Sequence, residues 1–232
     1  TNNGNHVHYA DSAQDLNSIV LDICQQHDAR KVAKGKSMVT EETGLNDFLQ
    51  RGSLEVTETD LGEYIVQQAG EAPSHIVGPA LHKTQKQVRE QFLQQHDLGE
   101  RDLDSISDLV GEARTVLRER FLQAEVGIIG SNALIAENGY SMLVTNEGNG
   151  DLCANLPKVL IICTTLQCSG CWCALQPDNR IPATPASIQA RGASRTQMVR
   201  LKLTSSCWIT SARTYWPANT VRCCAVSAAE PA

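Results

Sequence analysis

The hydrophobic residues of the first 123 positions recur at the spacing that is typical of amphipathic helices. Residues 11–27 place Leu16, Ile19, Val20 and Ile23 on one helical face. The same three- and four-residue spacing predicts further helices over residues 40–51, 60–68, 84–95 and 105–123.

Short apolar runs between and after these helices predict β-strands. They cover residues 31–34, 54–57, 75–77, 126–129, 133–136, 142–145 and 158–162. Strand–helix alternation followed by closely spaced strands is typical of the α/β class. The sequence therefore predicts a mostly parallel sheet flanked by helices, with added hairpin strands.

The overall composition excludes several classes of function. A hydrophobic fraction of 41% is enough for a buried core, and the net charge of −6 argues against nucleic acid or an anionic membrane as a partner. No apolar run approaches the roughly 20 residues of a membrane-spanning helix. With no secretory signal in the first residues either, we expect a cytoplasmic protein without a membrane span.

The composition changes abruptly near Val159. Residues 1–150 hold 12 Lys and Arg, 23 Asp and Glu, and a single cysteine, whereas residues 151–232 hold 8 basic and 3 acidic residues and the other eight cysteines. A folded surface normally mixes both signs of charge. We therefore expect an α/β domain over residues 1–159 and an aberrant, disordered or irregular tail over residues 160–232.

Two groups of charged residues follow predicted strands, where α/β proteins often place ligand-binding side chains. Lys36 and Ser37 precede a predicted helix, whose first N–H groups attract anions, although Lys36 is equally explained as a solvated lysine. Glu58, Asp60 and Glu63 are candidates for acid–base chemistry if burial separates their pKa values. The alternative is that they are solvated charges at a helix start.

A third candidate is the glycine-rich region over residues 130–150. Glycine lets a ligand approach the backbone, and polar side chains beside it orient that ligand. Tight hairpin turns require the same residue types, so both interpretations stay open. The polar candidates here are Asn132, Glu137, Thr145, Asn146 and Glu147.

Cysteines dominate the last third of the chain. Cys168, Cys171 and Cys173 form a C-x₂-C-x-C motif, and Cys207, Cys223 and Cys224 follow it. This spacing is that of a zinc or iron–sulphur half-site in a reducing compartment.

Several strings in the first 159 residues resemble, in order, one known family. They are GKSMVTEETGLN (35–46), EVTETDLGEYIVQQAGEAPSHIVGPALHK (55–83), AEVGIIGSNALIAENG (124–139), LVTNEGNG (143–150) and LPKV (156–159). They are similar to the N-terminal LUD domain of the iron–sulphur subunit of bacterial L-lactate utilisation systems. The resemblance implies an α/β fold like that of sugar isomerases and CoA transferases.

The resemblance also implies what an intact relative does. It passes electrons from the oxidation of L-lactate to pyruvate through [4Fe–4S] clusters, together with other subunits of a lactate-utilisation complex. Two alternatives are a stand-alone domain that binds a phosphorylated or CoA-like small molecule and a non-functional product. Whether this chain is an enzyme stays open, and by itself we expect it to be inactive.

The resemblance ends after LPKV, and a shifted reading frame explains why. Read one nucleotide earlier, the codons of residues 216–232 can encode LASEYREMLRCIRCGAC, and those of residues 167–179 can encode VLRVLVRTATGQ, which are family-like strings in family order. We therefore expect residues from about Leu160 onward to be a frameshifted translation. The cysteines would then be accidental, and we expect no metal and no cofactor in this chain.

Overall fold

The computed structural model describes residues 6–73, 78–99, 101–135 and 140–165, and the backbone of residues 194–203 and 221–229. The strands are β1 (His6–Ala10), β2 (Lys31–Lys34), β3 (Glu55–Glu58), β4 (Val126–Ile129), β5 (Ala133–Ile135), β6 (Tyr140–Met142), β7 (Val159–Thr165), β8 (Ser194–Leu203) and β9 (Val221–Ala229). The helices are α1 (Ala13–Gln26), α2 (Met38–Glu42), α3 (Leu45–Arg51), α4 (Leu61–Ala69), α5 (Gln85–Gln95), α6 (Ile106–Gln123) and α7 (Asn149–Asn155).

The centre of the fold is a parallel four-stranded sheet. Its strands lie in the order β7-β4-β2-β3, and each neighbouring pair is parallel. The backbones of β1, β8 and β9 extend the sheet beyond β7, and β5 and β6 form a separate antiparallel hairpin. The predicted α/β class, with a mostly parallel sheet flanked by helices, is confirmed.

Helices cover both faces of the sheet. Alternate residues of each strand point to opposite sides, so each strand contributes side chains to two cores. On one face, Val32 and Ile128 pack with side chains of α1 and α3. On the other face, Ala33 and Ile129 pack with α4, α5, α6 and α7. The central strands β4 and β7 are therefore apolar on both sides, which explains their short continuous hydrophobic runs.

Local capping sets the ends of the longer helices. The Ser12 hydroxyl accepts a hydrogen bond from the Asp15 N–H at the start of α1, and Thr84 and Ser105 begin α5 and α6 with reciprocal capping boxes. These starts lie within two residues of the predicted ones.

Other boundaries differ from the predictions. The single helix expected over residues 40–51 is two helices, because Gly44 adopts a left-handed conformation with φ of 63° between α2 and α3. The strand expected over residues 142–145 lies earlier, at β6, and α7 begins in the segment that was interpreted as a hairpin loop. Strand β1 was not predicted, and the expected strand at residues 75–77 lies outside the described residues.

A close approach of strand β4 to helix α7 depends on a glycine. A Cβ atom built on Gly127 would lie 1.9 Å from the backbone oxygen of Cys153, and backbone cannot rotate away as a flexible side chain can. This contact packs the second half of α7 against β4.

We expect Gly127→Ala to destabilise the chain by roughly 3 kcal/mol, because the added methyl group forces α7 away from β4. Urea denaturation followed by circular dichroism measures the change. The matched control is Gly111→Ala in the exposed middle of α6, where a Cβ meets no atom within 4 Å. This control should stabilise the chain by about 0.5–1 kcal/mol, since alanine favours helix. Equal effects of the two substitutions would contradict the assigned contact.

Candidate functional site

The connections of the central strands reverse direction between β2 and β4. The chain leaves β2 toward β3 on one side, whereas it leaves β4 toward β7 on the other. In open α/β sheets, this reversal opens a crevice at the carboxyl ends of the two strands, where ligands bind. Gly35 and Lys36 follow β2 at this point, and Gly130 follows β4.

A cleft of about 320 Å³ lies at this reversal, and we call it the switch-point cleft. Its volume is at the lower end of the range of small-molecule sites. Among the described residues, it is lined by Gly35, Lys36, Asp60, Ile129, Leu143, Val144, Thr145, Asn146, Glu147, Asn149 and Gly150.

A buried ion pair joins the carboxyl ends of β2 and β3. The Nζ atom of Lys34, at the end of β2, lies 2.7 Å from Oε1 of Glu58, at the end of β3. The Lys34 side chain is fully buried and that of Glu58 is 5% exposed. The Asn46 amide donates a second hydrogen bond of 2.6 Å to the same carboxylate oxygen. The Lys34 ammonium group and the Asn46 amide of α3 therefore both stabilise the Oε1 atom of Glu58.

A second buried carboxyl group lies in the first turn of α4. Glu63 is 2% exposed, and its Oε1 atom lies 3.4 Å from Nζ of Lys36. Burial raises the pKa of Glu63 to about 8, and the nearby Glu58 and Glu41 add to the shift, while Lys34 opposes it. At neutral pH the group is therefore mostly protonated.

The structure brings together half of the predicted site residues. Lys36, Asp60, Thr145, Asn146 and Glu147 all line the switch-point cleft. The solvated interpretation of Lys36 is partly right, since its side chain is 48% exposed. It also contacts Glu63, which a purely solvated lysine would not do.

The remaining candidates have other positions. The expectation that Glu58 and Glu63 are solvated helix-start charges is wrong, because both are buried behind the cleft. Ser37 is also buried and caps α2 by accepting from the Thr40 N–H. The Asn132 side chain accepts from the Val144 N–H and so braces the hairpin. Glu137 lies outside the described residues.

Sequence reasoning missed three polar residues of this region. The sequence places Lys34 at the end of a predicted strand and just before a predicted helix, Asn46 in that helix and Asn149 in the glycine-rich region, and it singles out none of them as a site residue. Asn149 lines the cleft and donates to the Thr59 hydroxyl, whose own hydrogen bond goes to the Lys34 carbonyl. The available signal for the buried pair was a lysine at the end of one predicted strand and a glutamate directly after the next, Lys34 and Glu58.

The described cysteines do not suit an iron–sulphur cluster. Cys24, Cys153 and Cys163 are buried in the cores, and burial raises the pKa of each thiol to about 12. Cluster ligation needs thiolates. Within the described ranges, no three side chains of His, Cys, Asp or Glu are grouped to share a metal ion. Of the other six cysteines, only the backbone of Cys223 and Cys224 is described.

None of the helices in the described ranges combines the length and the apolar character that a bilayer crossing requires.

The fold and the cleft define an open-sheet α/β protein with a small-molecule-sized cleft at its switch point. The sequence profile of the LUD domain matches residues 1–167, and the chain therefore belongs to the LUD domain family. No solved structure matches the chain.

Curated relatives carry names that refer to lactate or to electron transport. Lactate utilization protein B of Bacillus velezensis is 48% identical over 161 residues, which are 69% of this chain and 33% of the relative. The protein of the same name from Bacillus subtilis is 46% identical over 159 residues, 68% of this chain and 33% of the relative. An Escherichia coli relative, "Uncharacterized electron transport protein YkgF", is 45% identical over 161 residues, 69% of this chain and 34% of the relative.

These matches span about a third of the length of the relatives.

We expect the buried Glu63 to make stability fall as pH rises. Its pKa is about 8 in the fold against 4.5 as the ordinary value, so the folded chain holds a proton that the unfolded chain has lost. This contribution to the free energy of unfolding is fully present below the ordinary pKa of 4.5. It is lost as pH rises through the folded-state pKa of about 8. In Glu63→Gln this decline should shrink by on the order of 2–4 kcal/mol. Urea denaturation across this range of pH measures the difference.

The matched control for this substitution is Glu90→Gln on the exposed side of α5, whose side chain is 55% exposed. It should keep the pH dependence of the unsubstituted chain. If Glu63→Gln also keeps that dependence, the carboxyl group is ionised in the fold and the assignment is wrong.

Proposed function

We propose that this chain is a fragment of the iron–sulphur electron-transfer subunit of a complex that oxidises L-lactate to pyruvate in the cytoplasm. The observation that carries the proposal is the similarity, at 45–48% identity, to proteins named lactate utilization protein B. In this proposal the subunit exchanges electrons with other subunits of the same complex. The clusters belong to the part of the longer relatives that this chain does not match.

We further propose that residues 1–159 are the LUD-type domain and that residues 160–232 arise from a shifted reading frame. The support is the change in charge and cysteine content near Val159, together with the family-like strings encoded one nucleotide earlier. In this proposal the cluster motif CIRCGAC lies in the other frame. The chain as given then holds no cluster of its own.

A second candidate function belongs to the domain by itself. The switch-point cleft is a feature of α/β proteins that bind small molecules, and it contains a cationic side chain among hydrogen-bonding groups. A stand-alone domain that binds a phosphorylated or CoA-like molecule is therefore the alternative. It rests on the cleft alone and not on the names of the relatives.

The decisive experiment restores the frame. The gene would be expressed as given and with the reading frame shifted from codon 160 onward, in a strain that lacks its own lactate utilization protein B. We expect the restored form to bind iron and sulphide and to allow growth on L-lactate, because it carries the cysteine motif that clusters require. The form as given should do neither.

Two results would count against the proposal. Growth on L-lactate with the chain as given would show that residues 160–232 serve the function as they stand. A restored form that folds and binds iron but fails to support growth would separate the chain from lactate oxidation. Circular dichroism of both purified forms excludes simple misfolding as the explanation.

A further inference from the structure

A buried acid whose hydrogen-bonding capacity is unused lies beside Lys36, which lines the switch-point cleft. Glu63 is 2% exposed, and neither of its carboxyl oxygens takes part in a hydrogen bond with the described residues. Its neighbour on the cleft side is Lys36, whose Nζ atom is 3.4 Å away and whose side chain is 48% exposed. Lys36 is also the cationic side chain among the described residues that line the cleft. A ligand that enters therefore meets the ammonium group first and the acid behind it.

The rim restricts the charge that a ligand can carry. Asp60 and Glu147 both line the cleft, so its described lining has one cationic and two anionic side chains. A single negative charge can pair with Lys36, whereas a second one would face the two carboxylates. The same carboxylates accept hydrogen bonds from hydroxyl groups. Ile129 and Leu143 supply an apolar wall on which a short carbon chain can pack.

We propose that the switch-point cleft binds a small 2-hydroxy monocarboxylate. Its carboxylate contacts Lys36 Nζ, its hydroxyl donates to a rim carboxylate, and Glu63 is a positioning residue that competes for Lys36 when its carboxyl group is ionised. The choice of a 2-hydroxy acid rests on the proposed role in lactate oxidation. The preference for one negative charge rests only on the rim.

The protonation state of Glu63 controls whether Lys36 is available. In the protonated state, Glu63 leaves the ammonium to the ligand, whereas the ionised carboxylate competes for it. Because its pKa is raised to about 8, this change falls just above neutral pH. The charged groups that face Glu63 from the packed elements are Lys34 of β2, Lys36 after β2, Glu41 of α2, Glu58 of β3 and Asp60 at the start of α4.

Ligand-observed NMR and calorimetry on the full chain test this with L-lactate, propionate and inorganic phosphate as probes. L-lactate should bind in the millimolar range, the affinity expected for so small a ligand. Propionate, which lacks the hydroxyl, should bind several-fold more weakly, and phosphate should bind more weakly than L-lactate. Lys36→Gln should lower the affinity for L-lactate about tenfold, as for the loss of a hydrogen bond to a charged group. Lys36→Arg should retain most of the affinity for L-lactate. This charged variant shows whether weaker binding by Lys36→Gln comes from the lost charge or from misfolding.

The role of Glu63 has its own readout. Affinity for L-lactate should fall by several-fold between about pH 7 and pH 9 in the unsubstituted chain, and it should stay nearly constant in Glu63→Gln. The control is Lys86→Gln on α5. The Lys86 side chain is 85% exposed and does not line the cleft. This variant should bind as the unsubstituted chain does.

Several outcomes would overturn the inference. They are the absence of L-lactate binding, equal binding by Lys36→Gln, equal affinities for L-lactate and propionate, and tighter binding of phosphate. A fall with pH that persists in Glu63→Gln would remove the positioning role. The binding measurements and the frame-restoration experiment are independent of each other. A cleft that does not bind L-lactate is therefore distinguishable from a chain that has no role in lactate oxidation.

Discussion

Burial of the Lys34–Glu58 ion pair is the constraint on which the candidate site depends. Removing two charges from water costs several kcal/mol for each ion, and the cost is offset only when the pair is close and its remaining atoms are hydrogen-bonded. Parallel pairing of β2 and β3 places the two residues side by side, and Asn46 of α3 donates to the same Oε1 atom of Glu58, whose Oε2 atom has no hydrogen-bond partner among the described residues. The parallel register is therefore the direct cause of the compensation.

The same pair explains the state of the next carboxyl group. Because Lys34 is already engaged by Glu58, little positive charge remains within the sheet for Glu63. A second buried carboxylate beside the first is unfavourable, so Glu63 retains its proton at neutral pH. Lys36 then faces the cleft as the nearest cation. Burial of Lys34, Glu58 and Glu63 thus leaves Lys36 as the positive charge that lines the cleft.

The sequence predicted the class of fold and much of the cleft, for identifiable physical reasons. The helices α1, α5 and α6 are long, amphipathic and capped by side chains, so period and caps located them. The break at Gly44 was missed because a left-handed glycine inside a helix-like run has no periodic signal. Glu58 and Glu63 were misjudged because burial of an acid depends on Lys34 and Asn46, which are distant in the chain. Spacing alone does not contain that information.

Strand β7 shows how little a central parallel strand requires of its sequence. Residues Leu160–Cys163 are buried on both faces and pack into the two cores. Any short apolar run rich in β-branched residues satisfies such a position, because both faces are covered by helices. The proposed change of reading frame near Leu160 is therefore compatible with a buried strand at this position.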